Sequence, residues 1–135
     1  MSSFEIDLAK FGKKAVNNAS KFVRKVGFDI HSRIVQRMPK DTGRATANQQ
    51  ININSLPSGS VLAFDKDGNS TISKGEQVLE TFNLGDTIFL YNNVEYIVPL
   101  EFYSHSKQAP EGMFRISFQE VINNLGATAR EVSRG

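Results

Sequence analysis

Apolar side chains recur every three or four positions from Leu8 to Met38, through Phe11, Ala15, Ala19, Phe22, Val26, Ile30 and Ile34, with lysines and arginines between them. That period predicts one long amphipathic helix. Ser2 and Glu5 carry the spacing of a capping box and Pro39 supplies a stop. Gly12 and Gly27 each cost a helix about 1 kcal/mol relative to alanine, which makes Gly27 a candidate break. Asp41-Thr42-Gly43 then turns the chain, because an aspartate side chain bonds backbone two residues on and glycine accepts positive φ. Ala45–Asn54 and Ser60–Phe64 read as short strands around Leu56-Pro57-Ser58-Gly59, offering Ile51, Ile53, Val61 and Phe64 as apolar side chains. Glu76–Asn83, with Val78, Leu79 and Phe82, reads as a short helix before Gly85-Asp86, and Thr87–Tyr91 as a stronger strand.

Asn92-Asn93 has the composition of a tight hairpin turn, which returns Val94–Leu100 beside Thr87–Tyr91. Pro99 donates no ladder hydrogen bond, so the return segment is either an edge strand or a helical turn near Tyr96. Ser104–Pro110 follows as loop. Pro110 and Glu111 suit the first turn of a helix that places Phe114, Phe118, Val121, Ile122, Leu125, Ala129 and Val132 on one face, with Phe114 and Phe118 as core. The expected architecture is α+β in one domain, residues 1–135: a long N-terminal amphipathic helix, a small antiparallel β-sheet and a C-terminal amphipathic helix.

A chain of 135 residues supports one core. No window approaches the roughly 18 uninterrupted apolar residues of a membrane span. The segment Met1–Asp7 carries acids where a signal peptide carries bases, so the expectation is a soluble, unexported protein. With no cysteine, disulfides, thiolate chemistry and cysteine-ligated zinc are excluded. The net charge of +2 is unevenly placed: residues 4–40 hold nine Lys or Arg against three Asp or Glu, and the remainder seven against eleven. A basic stripe of this kind is a solvated or internally paired helix face, a match for an acidic protein surface including another copy, or a non-specific contact for DNA.

Asp65-Lys66-Asp67-Gly68-Asn69-Ser70-Thr71-Ile72-Ser73-Lys74-Gly75-Glu76 has the oxygen spacing of an EF-hand calcium loop, with Asp65, Asp67, Asn69, the Thr71 carbonyl, Ser73 and Glu76 in the ligand positions. It departs from that loop in placing Ser70 at the sharp bend that takes glycine, and Pro57-Ser58-Gly59 leaves little room for an entering helix. The competing expectation is a β-turn at Asp65–Gly68 joining two strands. His31 and His105 have no readable catalytic partner, and no nucleophile elbow, metal-histidine spacing or phosphate loop accompanies them. Glu95 and Glu101 read as hydrogen-bond or ion-pair groups, not as an acid pair. The cluster of Tyr91, Tyr96, Phe102 and Tyr103 suits packing around the sheet or a subunit contact, where tyrosine is favoured.

Two blocks carry a resemblance. Pro39-Lys40-Asp41-Thr42-Gly43-Arg44, and Gln108-Ala109-Pro110-Glu111-Gly112-Met113-Phe114-Arg115 preceded by Gly85-Asp86, Asn93, Tyr96 and Glu101, resemble the tail-completion or neck proteins that long-tailed bacteriophages place between DNA-filled head and tail. Departures are Lys40, where that family often has an apolar residue, and Phe102-Tyr103, where a glycine commonly follows the glutamate. The resemblance implies a virion structural protein without enzymatic activity or cofactor, assembled in the bacterial host cytoplasm. It also implies a ring of copies between portal or head-closure protein and tail-tube or tail-terminator protein, with no membrane partner and DNA passing through the lumen. Tail-terminator and head-closure roles belong to the same context, and a small calcium-binding module is the alternative from another class. Under the resemblance the interface candidates are Arg44, Tyr96, Glu101, Gln108, Pro110, Met113 and Arg115, with Arg44 and Arg115 as anchors between a basic helix and an acidic body.

Overall fold

The structure, a computed structural model, describes the backbone of residues 3–102 and 112–134 and the side chains of 17–102 and 112–134. Helix α1, Ser3–Arg37, is the spine of the molecule. Ile30, Ile34 and Met38 fall at helical spacing and are at most 5% exposed, so the last turns of the predicted apolar stripe are buried; Ala19, Phe22 and Val26 are half-buried, and the side chains of Leu8, Phe11 and Ala15 lie outside the described ones. Helix α1 ends immediately ahead of Met38-Pro39, where proline's ring and missing N–H stop it. The helix runs unbroken through Gly27, the candidate break. A Cβ at Gly27 would stand 3.2 Å from Leu79 Cδ2 and 3.5 Å from Ile88 Cδ1, so glycine here lets two other elements approach the spine.

After the Asp41–Gly43 turn, Arg44–Ala47 forms a single helical turn, α2, and only Gln50–Ile53 is strand β1. Within the expected strand Ala45–Asn54, only Gln50–Ile53 is strand, and Ala45–Ala47 is helical. Ser60–Phe64 is not a strand at all; Asn54 to Phe64 is an irregular arm. Helix α3, Asn69–Leu79, begins seven residues before the expected Glu76 start and ends at Leu79. Strand β2, Ile88–Tyr91, lies where alternation predicts a strand. Its partner is β1 in antiparallel register, Gln50 opposite Tyr91 through Ile53 opposite Ile88, and not the segment after Asn92-Asn93.

The hairpin gives way to long-range side-chain bonds. Asn92 Nδ2 donates to the Ala45 carbonyl at 2.8 Å, and Asn93 Nδ2 donates to the Pro57 and Gly59 carbonyls at 2.9 and 3.1 Å. Both asparagines tether distant loops instead of shaping a reversal. The chain then enters helix α4, Ile97–Phe102, which accommodates Pro99 and realises the helical alternative near Tyr96. The last helix starts at Phe114 and divides at Asn124 into α5, Phe114–Asn123, and α6, Leu125–Arg134. Pro110 and the Ser104–Pro110 loop lie outside the described residues.

Helix α1 packs against α3, α5 and α6, and β1, paired to β2, packs against α3. Ile30, Ile34, Met38, Ala45, Val94, Met113 and Val121 form one core. The buried edge of α5 runs through Ser117 and Val121, while Phe118 and Ile122 are 51% and 43% exposed, contrary to the expectation that Phe118 is core. Arg37 sets that rotation: its guanidinium donates to Ser117 Oγ at 3.1 Å and to Glu120, which turns Phe118 outward. Among the described residues no helix is long and apolar enough to cross a membrane.

Candidate interaction surface

Gly43 adopts φ 83°, and a Cβ there would meet the Lys66 nitrogen at 2.6 Å. Its carbonyl accepts from Ala47 N and Asp65 N, both at 2.9 Å, so one glycine starts α2 and pins the far end of the Asn54–Phe64 arm. Arg44, the next residue, donates to Glu95 at 2.7 Å and to Ser60 Oγ at 3.3 Å, with Tyr96 6.0 Å from its guanidinium. The Glu95 hydrogen bond holds that carboxyl below the usual glutamate range. Lys40 donates to the Val35 carbonyl at the end of α1 and to Thr46 Oγ1.

Glu101 organises the second block. It is 5% exposed, and its carboxylate accepts from the backbone nitrogens of Met113, Phe114 and Arg115 at 2.8, 2.8 and 3.1 Å. Those are the free N–H groups at the head of α5, where negative charge is favoured. Arg115 closes the arrangement, donating Nε to the Glu101 carboxylate at 3.0 Å and Nη2 to its backbone carbonyl at 2.5 Å. Burial opposes ionisation of Glu101, but these donors outweigh it and its pKa lies below the usual value. A Cβ at Gly112 would stand 2.6 Å from the Glu101 carbonyl oxygen, which explains the glycine before Met113. Met113 itself is fully buried.

The structure therefore commits Arg44 and Arg115 to carboxylates of their own chain. The same holds for much of the basic stripe on α1. Arg33 and Arg37 both pair with Glu120 at 2.8 and 2.5 Å, Lys25 lies 3.4 Å from Asp29 and 3.7 Å from Glu131, and Arg24 donates to the Phe82 carbonyl. Hydrogen bonds from Arg37 and then Arg33 hold Glu120 down at about 2. Of the interface candidates, Tyr96 is 37% exposed, Glu101 and Met113 are buried, and Gln108 and Pro110 lie outside the described residues.

The calcium-loop geometry is absent. Asn69, Thr71, Ser73 and Glu76 sit on a regular helix, which rises along its axis instead of wrapping a cation. Asp65, the first ligand position, accepts instead from Gly68 N at 3.2 Å, Thr71 N at 2.8 Å and Thr71 Oγ1 at 2.6 Å, so it caps α3. Asp65–Gly68 is a turn as expected, but it leads into a helix and joins no strands. Among the described residues no cluster of three or more metal-ligating side chains occurs. His31 is fully buried, with Nε2 donating to the Thr71 carbonyl at 3.1 Å; desolvation lowers its pKa.

Large apolar side chains are exposed as well. On the arm, Leu56, Val61, Leu62 and Phe64 are 60%, 45%, 85% and 59% exposed. The arm is held at its middle by Asn48, whose side chain accepts from Val61 N at 2.8 Å and donates to the Val61 carbonyl at 3.0 Å. Across the molecule, an open groove of about 630 Å³ runs between α1, β2 and α5, lined by Ile30, Ile34, Ile88, Leu90, Phe114 and Phe118 among others. Val98 and Phe102 on α4 extend this apolar surface, with Phe102 4.5 Å beneath the Arg115 guanidinium. Phe102 and Tyr96, two of the aromatics that suit a subunit contact or packing around the sheet, are exposed, whereas exposure of Leu62 and Phe64 does not follow from spacing; the run Val61-Leu62-Ala63-Phe64, with strand character but no neighbouring partner, is the signal that points to the arm. Comparison with family models, curated proteins and solved structures gives no match.

Proposed function

We propose that this chain is a non-enzymatic structural subunit of a long-tailed bacteriophage virion, a tail-completion or neck protein that assembles as a ring between head connector and tail. The carrying observation is the division of labour on its surface. The polar residues of both signature blocks close on one another within the subunit, while large apolar side chains stand exposed on the arm and around the α5 groove. Contiguous exposed apolar surface on a small domain marks an interaction site, and two separate patches suit a subunit with neighbours on two sides.

Complementary charge contributes less to assembly in this reading than the paired arrangement on α1 suggests at first, because those cations already have internal partners. Apolar contacts carry the association. Halting translation of the gene in the parent phage and imaging the lysate tests the role. Filled heads accumulating apart from finished tails are the expected result, tails of abnormal length would move the protein to termination, and intact infectious particles would remove the assignment.

A further inference from the structure

Among the described residues strand β2 pairs on one edge only. Asn54 N donates to the Thr87 carbonyl at 2.8 Å, which extends the β1–β2 register by one pair and marks Thr87 as a residue bonded toward β1. Bonding direction alternates along an antiparallel strand, so Phe89 and Tyr91 also face β1 while Ile88 and Leu90 aim their N–H and C=O groups the other way. No third strand meets them among the described residues. The groove lined by Phe114 and Phe118 lies along that edge.

The arm has the complementary defect. Leu62 and Phe64 are two residues apart, so an extended chain presents them on one face. Ala63 and Val61 instead line a pocket with Ile51 and Val78, on the β1 side of the sheet. Arm and groove thus stand at opposite edges of the two-stranded sheet, and the chain has apolar strand-like residues without a strand partner at one edge and a strand edge without a partner at the other.

We infer that the arm of one copy, through Leu62 and Phe64, seats in the α1–β2–α5 groove of the next copy and adds its backbone to the free edge of β2. The occupant is a second copy of this chain because the chain itself carries both halves of the contact. Main-chain bonds to Ile88 and Leu90 supply the pairing and the two side chains fill the groove beside Phe118. The contact is heterologous, each copy giving its arm forward and receiving one behind, so successive copies run head to tail and close as a ring when the rotation allows. This rests on the ring reading above and names the contact that builds it.

Sedimentation of the full chain over a concentration series tests it, using wild type, the arm variant Leu62→Asp/Phe64→Asp, the groove variant Phe118→Asp and an equimolar mixture of the two variants. All three substituted positions are exposed, and circular dichroism checks that the variants fold. Wild type is expected to associate beyond dimers. Each variant alone is expected to associate at least about 30-fold more weakly, the loss from removing an interface anchor. The mixture is expected to stop at a one-to-one dimer, which holds a single intact arm and groove. Unaltered association of both variants would overturn the arm contact and leave the ring reading standing, while wild type that stays monomeric throughout would overturn the contact and withdraw support from self-assembly. As the chain has no cysteine, Leu62→Cys/Phe118→Cys gives an independent readout. Oxidation is expected to yield a ladder of linked copies, and monomer alone would contradict the contact.

Discussion

Glu101 shows how one side chain fixes a junction. It closes the head of α5, holds Arg115 and requires glycine at 112, so three residues of the second signature block answer to one carboxylate. Glu101→Gln should lower stability by about 1–3 kcal/mol, the cost of replacing a charged acceptor by a neutral one among buried donors, read from urea denaturation. Glu101 was legible as a hydrogen-bond or ion-pair group, whereas Arg115 read as an anchor between copies, and only the fold reveals that the two pair with each other across residues outside the described set. His31 was not legible: its helical position marks it for the core, but its link to Thr71 depends on where α3 lies. Gly75 lies against it, and a Cβ there would meet the His31 ring at 2.5 Å, so Gly75→Ala should cost about 1–3 kcal/mol by overpacking. Burial keeps folded His31 neutral below the pH at which the unfolded histidine, near 6.5, takes its proton. Stability should therefore fall as pH drops through that range, and His31→Gln should lose that part of the dependence.

At the scale of elements, local chemistry decided what periodicity left open. Helix α3 begins early because Asp65 and Gly68 build its start, and the same acidic pattern that mimics a calcium loop acts as a cap. Asp65→Ala should cost about 0.5–2 kcal/mol of stability, and calorimetry with calcium should give no heat of binding to the wild-type chain. The α1 period was strong enough to override two glycines. Residues 60–64 carry strand composition, yet strand pairing is a property of the neighbour as much as of the segment, and β1 turns its bonds toward β2. Rotation of α5 about its axis was similarly hidden, since Phe118 and Val121 are equally apolar and the choice rests on Arg37 and Glu120.

For the whole molecule, Glu120 clasps α5 to α1 through Arg33 and Arg37. Its folded pKa of about 2 lies below the ordinary 4.5, so its contribution is present above the ordinary value and is lost as pH falls through about 2. Between those limits wild type should lose more stability than Glu120→Gln, measured as the shift in urea midpoint. The fold class and the N-terminal spine were legible in the sequence, and so was strand β2; its partner was not, because the expected Asn92-Asn93 hairpin gives way to side-chain tethers from Asn92 and Asn93 across long separations. The proposed place of this chain is the junction of head and tail in a phage particle. Gold-labelled antibody against this chain, applied to purified particles of the parent phage and viewed by electron microscopy, tests it directly. The account predicts label concentrated where head meets tail, and particles that carry no label there, or label spread along the tail or over the capsid, would contradict it.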